Sequence, residues 1–135
     1  MKKLIKNNIK PVKEYKNAEL QKREILKENK NKIGIYCWIN LKNDKIYIGS
    51  SINIYTRLLK YYSKNNLISN PSKIHLALRK NGFKNFALAI IEYCDLTNLR
   101  KKEQYYINKL ETDYNIKKIV GSNYGCKASA KTRKN

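Results

Sequence analysis

Two short apolar runs, IGIYCWIN (33–40) and KIYIGS (45–50), stand on either side of the polar break LKND. Both runs are rich in β-branched and aromatic residues, and the break ends in Asn43-Asp44, so the stretch reads as an antiparallel hairpin. If Asn40 faces Lys45 across the turn, Trp38 faces Tyr47 and Gly49 faces Tyr36. Tyr36 and Tyr47 are then diagonal neighbours on one face, about 7–8 Å apart at Cα. A two-residue turn at Asn43-Asp44 shifts the register by two and leaves them on that face. Gly49 has no side chain and leaves open space opposite Tyr36. On geometry alone this is equally a tyrosine-rich structural face or a pair of phenols placed for chemistry.

The residues that follow extend the pattern. Asn53 is placed to cap a helix IYTRLLKYY, with Ile54, Leu58 and Tyr62 on its buried face. Asn70-Pro71-Ser72 opens a second helix, SKIHLALRK, which Gly82 ends. FALAIIEYC (86–94) is a continuous apolar run of strand length, expected as a central strand covered on both faces. Thr97 caps a third helix, NLRKKEQYYINKL, and 113–118 closes the unit. The order β-β-α-α-β-α predicts an α+β fold, a small three-stranded, mainly antiparallel sheet flanked by helices.

Composition divides the chain of 135 residues into a basic, partly helical extension (1–32), a folded unit (33–118) and a basic tail (119–135). In the extension, NAELQKREILKENK (17–30) reads as a helix capped by Asn17 with a thin stripe at Leu20, Ile25 and Leu26. Thirty basic residues against ten acidic ones leave a net charge of +20. Self-repulsion on that scale implies a polyanionic partner, and nucleic acid fits best. A membrane surface fits poorly, because no apolar run reaches spanning length and no strongly amphipathic basic helix is visible. The three cysteines are far apart and there is a single histidine, His75. A zinc site and a disulfide framework are therefore not expected. The N-terminus lacks the apolar core of a secretory signal and is too lysine-rich for a transit peptide.

Four polar side chains stand out beside the tyrosines. Arg57 lies within the first helix of the folded unit, with Tyr61 one turn further along the same face. A guanidinium is the usual group for a phosphate, although any single arginine of a basic protein is more often a plain surface residue. Glu103 falls in the middle of the apolar stripe formed by Leu99, Tyr106, Ile107 and Leu110. A free charge there is costly unless it is paired or holds a metal. It is either an ion-paired structural residue or an anchor for one Mg²⁺, and it could not hold two ions. Asn115 is a turn residue or a polar lining group. A phenol is a poor base at neutral pH unless a nearby cation lowers its pKa, and Lys45 is a candidate for that effect on Tyr47. His75 is expected to be structural or on a helix surface.

Together these residues resemble the GIY-YIG nuclease family. Gly34-Ile35-Tyr36 and Tyr47-Ile48-Gly49 are similar to its two eponymous elements, and Arg57, Glu103 and Asn115 follow on matching elements. The resemblance covers 33–118 and is nearest to intron-encoded homing endonucleases of fungal mitochondria. The lead-in NAELQKREILKENKNKIGIY and the stretches NGFKNFALAIIEYC and EQYYINKLETDYNI look like that branch. GSNYGCKASAKTRKN looks like the start of a short DNA-binding repeat, but Ala128, Ala130 and Lys131 replace its usual histidine and acids.

The resemblance implies metal-dependent hydrolysis of a phosphodiester in double-stranded DNA, by one water and one divalent ion. Mg²⁺ is the expected ion, with Mn²⁺ as a substitute and no small-molecule cofactor. It further implies that Glu103 holds the metal, that Arg57 binds the phosphate, and that one tyrosine, Tyr36 ahead of Tyr47, is the general base while the other orients the water or the phosphate, two roles that the phenols can exchange. Asn115 would orient Glu103 or the metal's waters. The bias toward Lys, Asn and Ile suits an A+T-rich organellar genome, hence a mitochondrial setting. A single site cuts one strand at a time, which leaves the oligomeric state open. The rival readings are a nucleic-acid-binding module without activity, either maturase-like or a decayed nuclease, and a structural ribosomal-type protein.

Overall fold

The computed structural model describes residues 2–115. In chain order the first elements are helix α1 (Lys2–Lys6), strand β1 (Lys13–Tyr15), helix α2 (Lys22–Glu28) and the hairpin strands β2 (Gly34–Asn40) and β3 (Ile46–Ser51). Helices α3 (Ile54–Tyr62), α4 (Lys64–Ser69) and α5 (Lys73–Asn81) follow, then strand β4 (Phe86–Tyr93) and helix α6 (Leu99–Leu110).

The hairpin adopts the register that the sequence allows. Asn40 N–H donates to Lys45 O, Trp38 lies opposite Tyr47, and Tyr36 lies opposite Gly49. Asp44 makes the turn at a left-handed φ of 61°, a conformation that short polar side chains tolerate. β4 pairs with β2 on the other side, so every side chain of β2 is buried.

The sheet has four strands, in the order β1-β4-β2-β3, all antiparallel, and this corrects the expected count of three. The added strand is Lys13–Tyr15, three residues with no alternation long enough to read. It is held by side chains instead of length. Tyr15 is buried, with its hydroxyl donating to Glu28 Oε1 at 2.7 Å, and the buried Asn29 joins Tyr15 to the Tyr93 hydroxyl. Strand β1 is thus built into the β4 side of the sheet, while Leu4 of α1 packs among Ile35, Ile46 and Ile48.

Helices cover both faces. Tyr15, Tyr36, Trp38, Leu88 and Ile90 pack with Ile25, Leu58 and Leu78 on one face. Ile35, Cys37, Ile48, Ala89 and Ile91 pack with Leu4, Leu99 and Ile107 on the other. Each large apolar side chain so buried contributes about 1.5–3 kcal/mol. Trp38 is the centre of the first face, with the rings of Tyr61, Tyr62, Phe83 and Phe86 within 6.4 Å of its own.

Four local expectations are corrected. The helix expected over 17–30 begins only at Lys22, because Asn17 Oδ1 accepts from the Glu19 and Leu20 N–H groups and caps a single turn. Leu20, expected on the buried stripe, is exposed. On α3 the buried positions are Ile54, Leu58 and Tyr61, while Tyr62 is half-buried and donates to Ala18 O. Thr97 lies in a 3-10 turn whose cap is Asp95, and α6 starts two residues later at Leu99. Helix α5 follows its sequence signals: Ser72 accepts from His75 N–H, and Gly82 ends the helix at φ 80°. The tail 119–135, and residues 116–118 of the closing segment, lie outside the described residues.

Candidate active site

Both glycines of the two tyrosine-bearing runs are explained by close approach. A Cβ at Gly34 would meet the backbone of Glu92 across the sheet, where β2 and β4 shift register between Ile35 and Tyr36. A Cβ at Gly49 would stand 2.5 Å from the Tyr36 hydroxyl oxygen. The space expected beside Gly49 is therefore filled by the Tyr36 ring itself, which lies flat across the strand.

The sheet sorts the candidate residues onto two faces. Tyr36, Tyr47 and Tyr61 belong to the α3 face; Leu99 belongs to the α6 face. They meet at the β3 side of the sheet. One cavity of about 310 Å³ is lined by Tyr36, Tyr47, Ser50, Arg57, Arg100 and Glu103, with Leu99 at its base. Strand alternation makes this possible: Tyr47 points to one face of β3 and Ser50 to the other, with the bare Gly49 between them. The Tyr36 and Tyr47 rings are 6.4 Å apart, and the Tyr36 and Tyr61 hydroxyls are 3.1 Å apart.

Ser50 Oγ donates to Glu103 Oε1 at 2.5 Å. Burial pushes the Glu103 carboxyl above the ordinary glutamate range, against the pull of the Ser50 hydrogen bond and of Arg57 and Arg100. Burial likewise pushes up the phenols of Tyr36 and Tyr47. The Tyr61 hydroxyl and Arg57 oppose that rise in both. Tyr61 is raised by burial and by its two phenol neighbours.

The structure thus brings together Tyr36, Tyr47, Arg57 and Glu103, with Tyr61 behind them. It does not bring in Asn115 or Lys45. Asn115 is spent on the outer edge of β3, where its Oδ1 accepts from Ile48 N–H at 3.0 Å and its Nδ2 donates to Ile48 O at 2.8 Å. It therefore sits as a strand-edge clamp, not against Glu103. Lys45 is exposed and its charge acts on Asp113; Arg57 is the cation that acts on Tyr47. Ser50 and Arg100 were missed in the sequence. A hydroxyl just after the second run and an arginine three residues before Glu103 carry no signal until β3 and α6 are known to touch.

Among the described residues no group of three or more His, Cys, Asp and Glu could hold a metal. Glu103 offers one carboxylate, held at Oε1 by Ser50 Oγ, and a carboxylate oxygen is the kind of hard donor that suits Mg²⁺ or Mn²⁺.

A hairpin carrying two tyrosines diagonally adjacent on one face, an arginine on the next helix and an inward glutamate on the last helix define the GIY-YIG class. The chain matches the GIY-YIG catalytic domain over residues 32–115 and belongs to that family. It is 35% identical over 115 residues to the probable intron-encoded endonuclease 1 of Neurospora crassa, which is 77% of this chain and 36% of that protein. It is 30% identical over 114 residues to the probable intron-encoded endonuclease bI1 of the same organism, covering 78% of this chain and 25% of that one. The chain therefore spans only about a quarter to a third of those relatives. Among solved structures it is similar to the catalytic domain of the homing endonuclease I-TevI, with TM-score 0.54, 26% identity, and coverage of 64% of this chain and 99% of that one. A point mutant of the same domain gives TM-score 0.55 at 24% identity, over 66% of this chain and 97% of its own.

Proposed function

We propose that this chain is a homing-type DNA endonuclease that hydrolyses a phosphodiester with one divalent ion, Mg²⁺ or Mn²⁺, held by Glu103. The observation that carries the reading is the single cavity in which two phenols, a guanidinium and a pinned carboxylate converge from β2, β3, α3 and α6.

Arg57, exposed at the rim, binds the non-bridging oxygens of the scissile phosphate and stabilises their added charge in the transition state, a contribution of about 3–4 kcal/mol. Tyr36 takes the proton of the attacking water. Its oxygen lies 3.1 Å from the Tyr61 hydroxyl, and that contact and the Arg57 charge oppose the rise that burial imposes on its phenol. Tyr47, less buried than Tyr36, orients the water or the phosphate. Ser50 holds the Glu103 carboxylate in one rotamer, and Asn115 keeps β3 straight beneath Tyr47. An ion bound at Glu103 supplies positive charge against the phosphate and the leaving 3′ oxygen.

The catalytic unit is 33–118, with 1–32 as its extension and 119–135 as the start of a DNA-binding repeat. The partner is double-stranded DNA. The intron-encoded relatives and the Lys, Asn and Ile bias support a mitochondrial, organelle-encoded setting. None of the helices of the described residues is long and apolar enough to cross a membrane.

Nicking of supercoiled plasmid tests the reading. Wild type is expected to nick with Mg²⁺ or Mn²⁺ and to stop in EDTA, and Glu103→Ala to be inactive in both. DNA binding without cutting under any metal would leave the inactive binding module; equal metal-dependent cutting by Glu103→Ala would remove the role of Glu103.

A further inference from the structure

Arg57 and Tyr47 have a second side. Behind them lies another cavity, of about 420 Å³, closed by α4 and the start of α5 and lined by Lys60, Asn66, Asn70, Ser72 and His75. That volume falls within the range of about 300–1,000 Å³ usual for ligand sites. No carboxylate lines it. Tyr47 and Arg57 line both cavities, so the two form one cleft with a partition.

Its polar groups are aimed by local bonds. Lys60 follows Arg57 by three positions on α3, which puts two cations on one helix face a turn apart. Asn70 Oδ1 accepts from Ser72 N–H at 3.0 Å, so the Asn70 amino group is the part left for a ligand. His75 is fixed at both ends of its ring, by Ser72 Oγ at 2.6 Å and Asn66 at 3.5 Å, and it stacks on Tyr61 at 4.8 Å. The charged side chains of the cavity, Arg57 and Lys60, are both cations.

The geometry points to a second phosphodiester subsite, in which Lys60 and Asn70 grip the nucleotide that flanks the scissile bond on the same strand. It rests on the nuclease reading for its place in the DNA. If Arg57 binds the scissile phosphate, the strand leaves the first cavity past Tyr47, and the adjoining phosphate meets Lys60. Two cations one turn apart then engage successive charges of one backbone, and the amide and hydroxyl groups take up the sugar and phosphate oxygens. The subsite fixes the register of the strand without reading its bases.

His75 is the one histidine of the chain, so its ring proton signals report on this cavity without ambiguity. The full chain is titrated with thymidine 3′,5′-bisphosphate in EDTA, and the His75 resonances are followed by NMR. A saturable shift is expected, with affinity about tenfold weaker in Lys60→Ala and in Asn70→Ala. Lys109→Ala, on the far side of α6, should leave it unchanged. With a short duplex the slope of log affinity against log salt should fall by about one in Lys60→Ala. No saturable shift, or one equal in Lys60→Ala, would overturn the subsite, even if plasmid is still nicked. A shift with no nicking under any metal would keep the subsite and remove the nuclease reading.

Discussion

Ser50 on β3 and Glu103 on α6 are 53 residues apart in sequence and joined by a 2.5 Å hydrogen bond. That contact fastens the hairpin to the last helix at the cavity, and it holds a carboxyl that burial pushes toward protonation. Ser50→Ala removes a donor to the charged form. Glu103 then ionises at still higher pH, so the acidic limb of the nicking rate moves up and the rate on that limb falls about tenfold. Activity should recover as pH rises. A uniform loss at all pH values would mean that Ser50 acts otherwise.

Gly49→Ala and Gly34→Ala should separate activity from stability. At Gly49 the new methyl enters the Tyr36 ring, which can swing away only by leaving its place above the strand. At Gly34 the methyl meets the Glu92 backbone, which cannot swing. Overpacking of this kind costs about 1–3 kcal/mol or more. Thermal melts should show Gly34→Ala as the less stable of the two. Nicking should be lost in Gly49→Ala while much of the fold survives.

Asn115→Ala should weaken the fold, not the chemistry at the metal. It exposes Ile48 N–H and C=O on a free strand edge, which costs about 1–3 kcal/mol. The Mg²⁺ concentration for half-maximal nicking should match wild type at temperatures where both are folded. A large rise in that concentration would return Asn115 to the role that the family resemblance implies.

The hairpin register was legible from the sequence because side-chain period and turn position determine each other. The parity that puts Tyr36 over Gly49 is the one observed. Glu103 was legible because a carboxylate among Leu99, Tyr106, Ile107 and Leu110 breaks the helical pattern. Strand β1 was not, since three residues hold their place through the Tyr15–Glu28 and Asn29–Tyr93 bonds, and side-chain bonds between distant segments leave no periodicity. Tyr61 and Tyr62 are adjacent, and a helix of 3.6 residues per turn allows either to follow Leu58 inward. Contact with Tyr36 and Trp38 decides for Tyr61. The place of Asn115 was not legible for a related reason: its partner is the backbone of Ile48, which no side-chain pattern displays.

Glu103→Gln is expected to stabilise the free protein. A carboxyl raised by burial is more stable folded when protonated, so its contribution is fully present below the unfolded pKa and is lost as pH rises through the folded one. Gln keeps an acceptor for Ser50 and carries no charge. At neutral pH the variant should melt a few degrees higher than wild type, and below about pH 4 the two should converge. A lower melting temperature at neutral pH would mean that the Arg57 and Arg100 attractions outweigh burial.

The most direct measurement is the binding of Mn²⁺ to the full chain by electron paramagnetic resonance, with a short duplex present, for wild type and the well-folded Glu103→Gln. Wild type should take up a single ion, and Glu103→Gln should bind it at least tenfold more weakly with the duplex still bound. Equal Mn²⁺ affinity in the two proteins would contradict Glu103 as the metal ligand, and with it the proposed chemistry of the cavity.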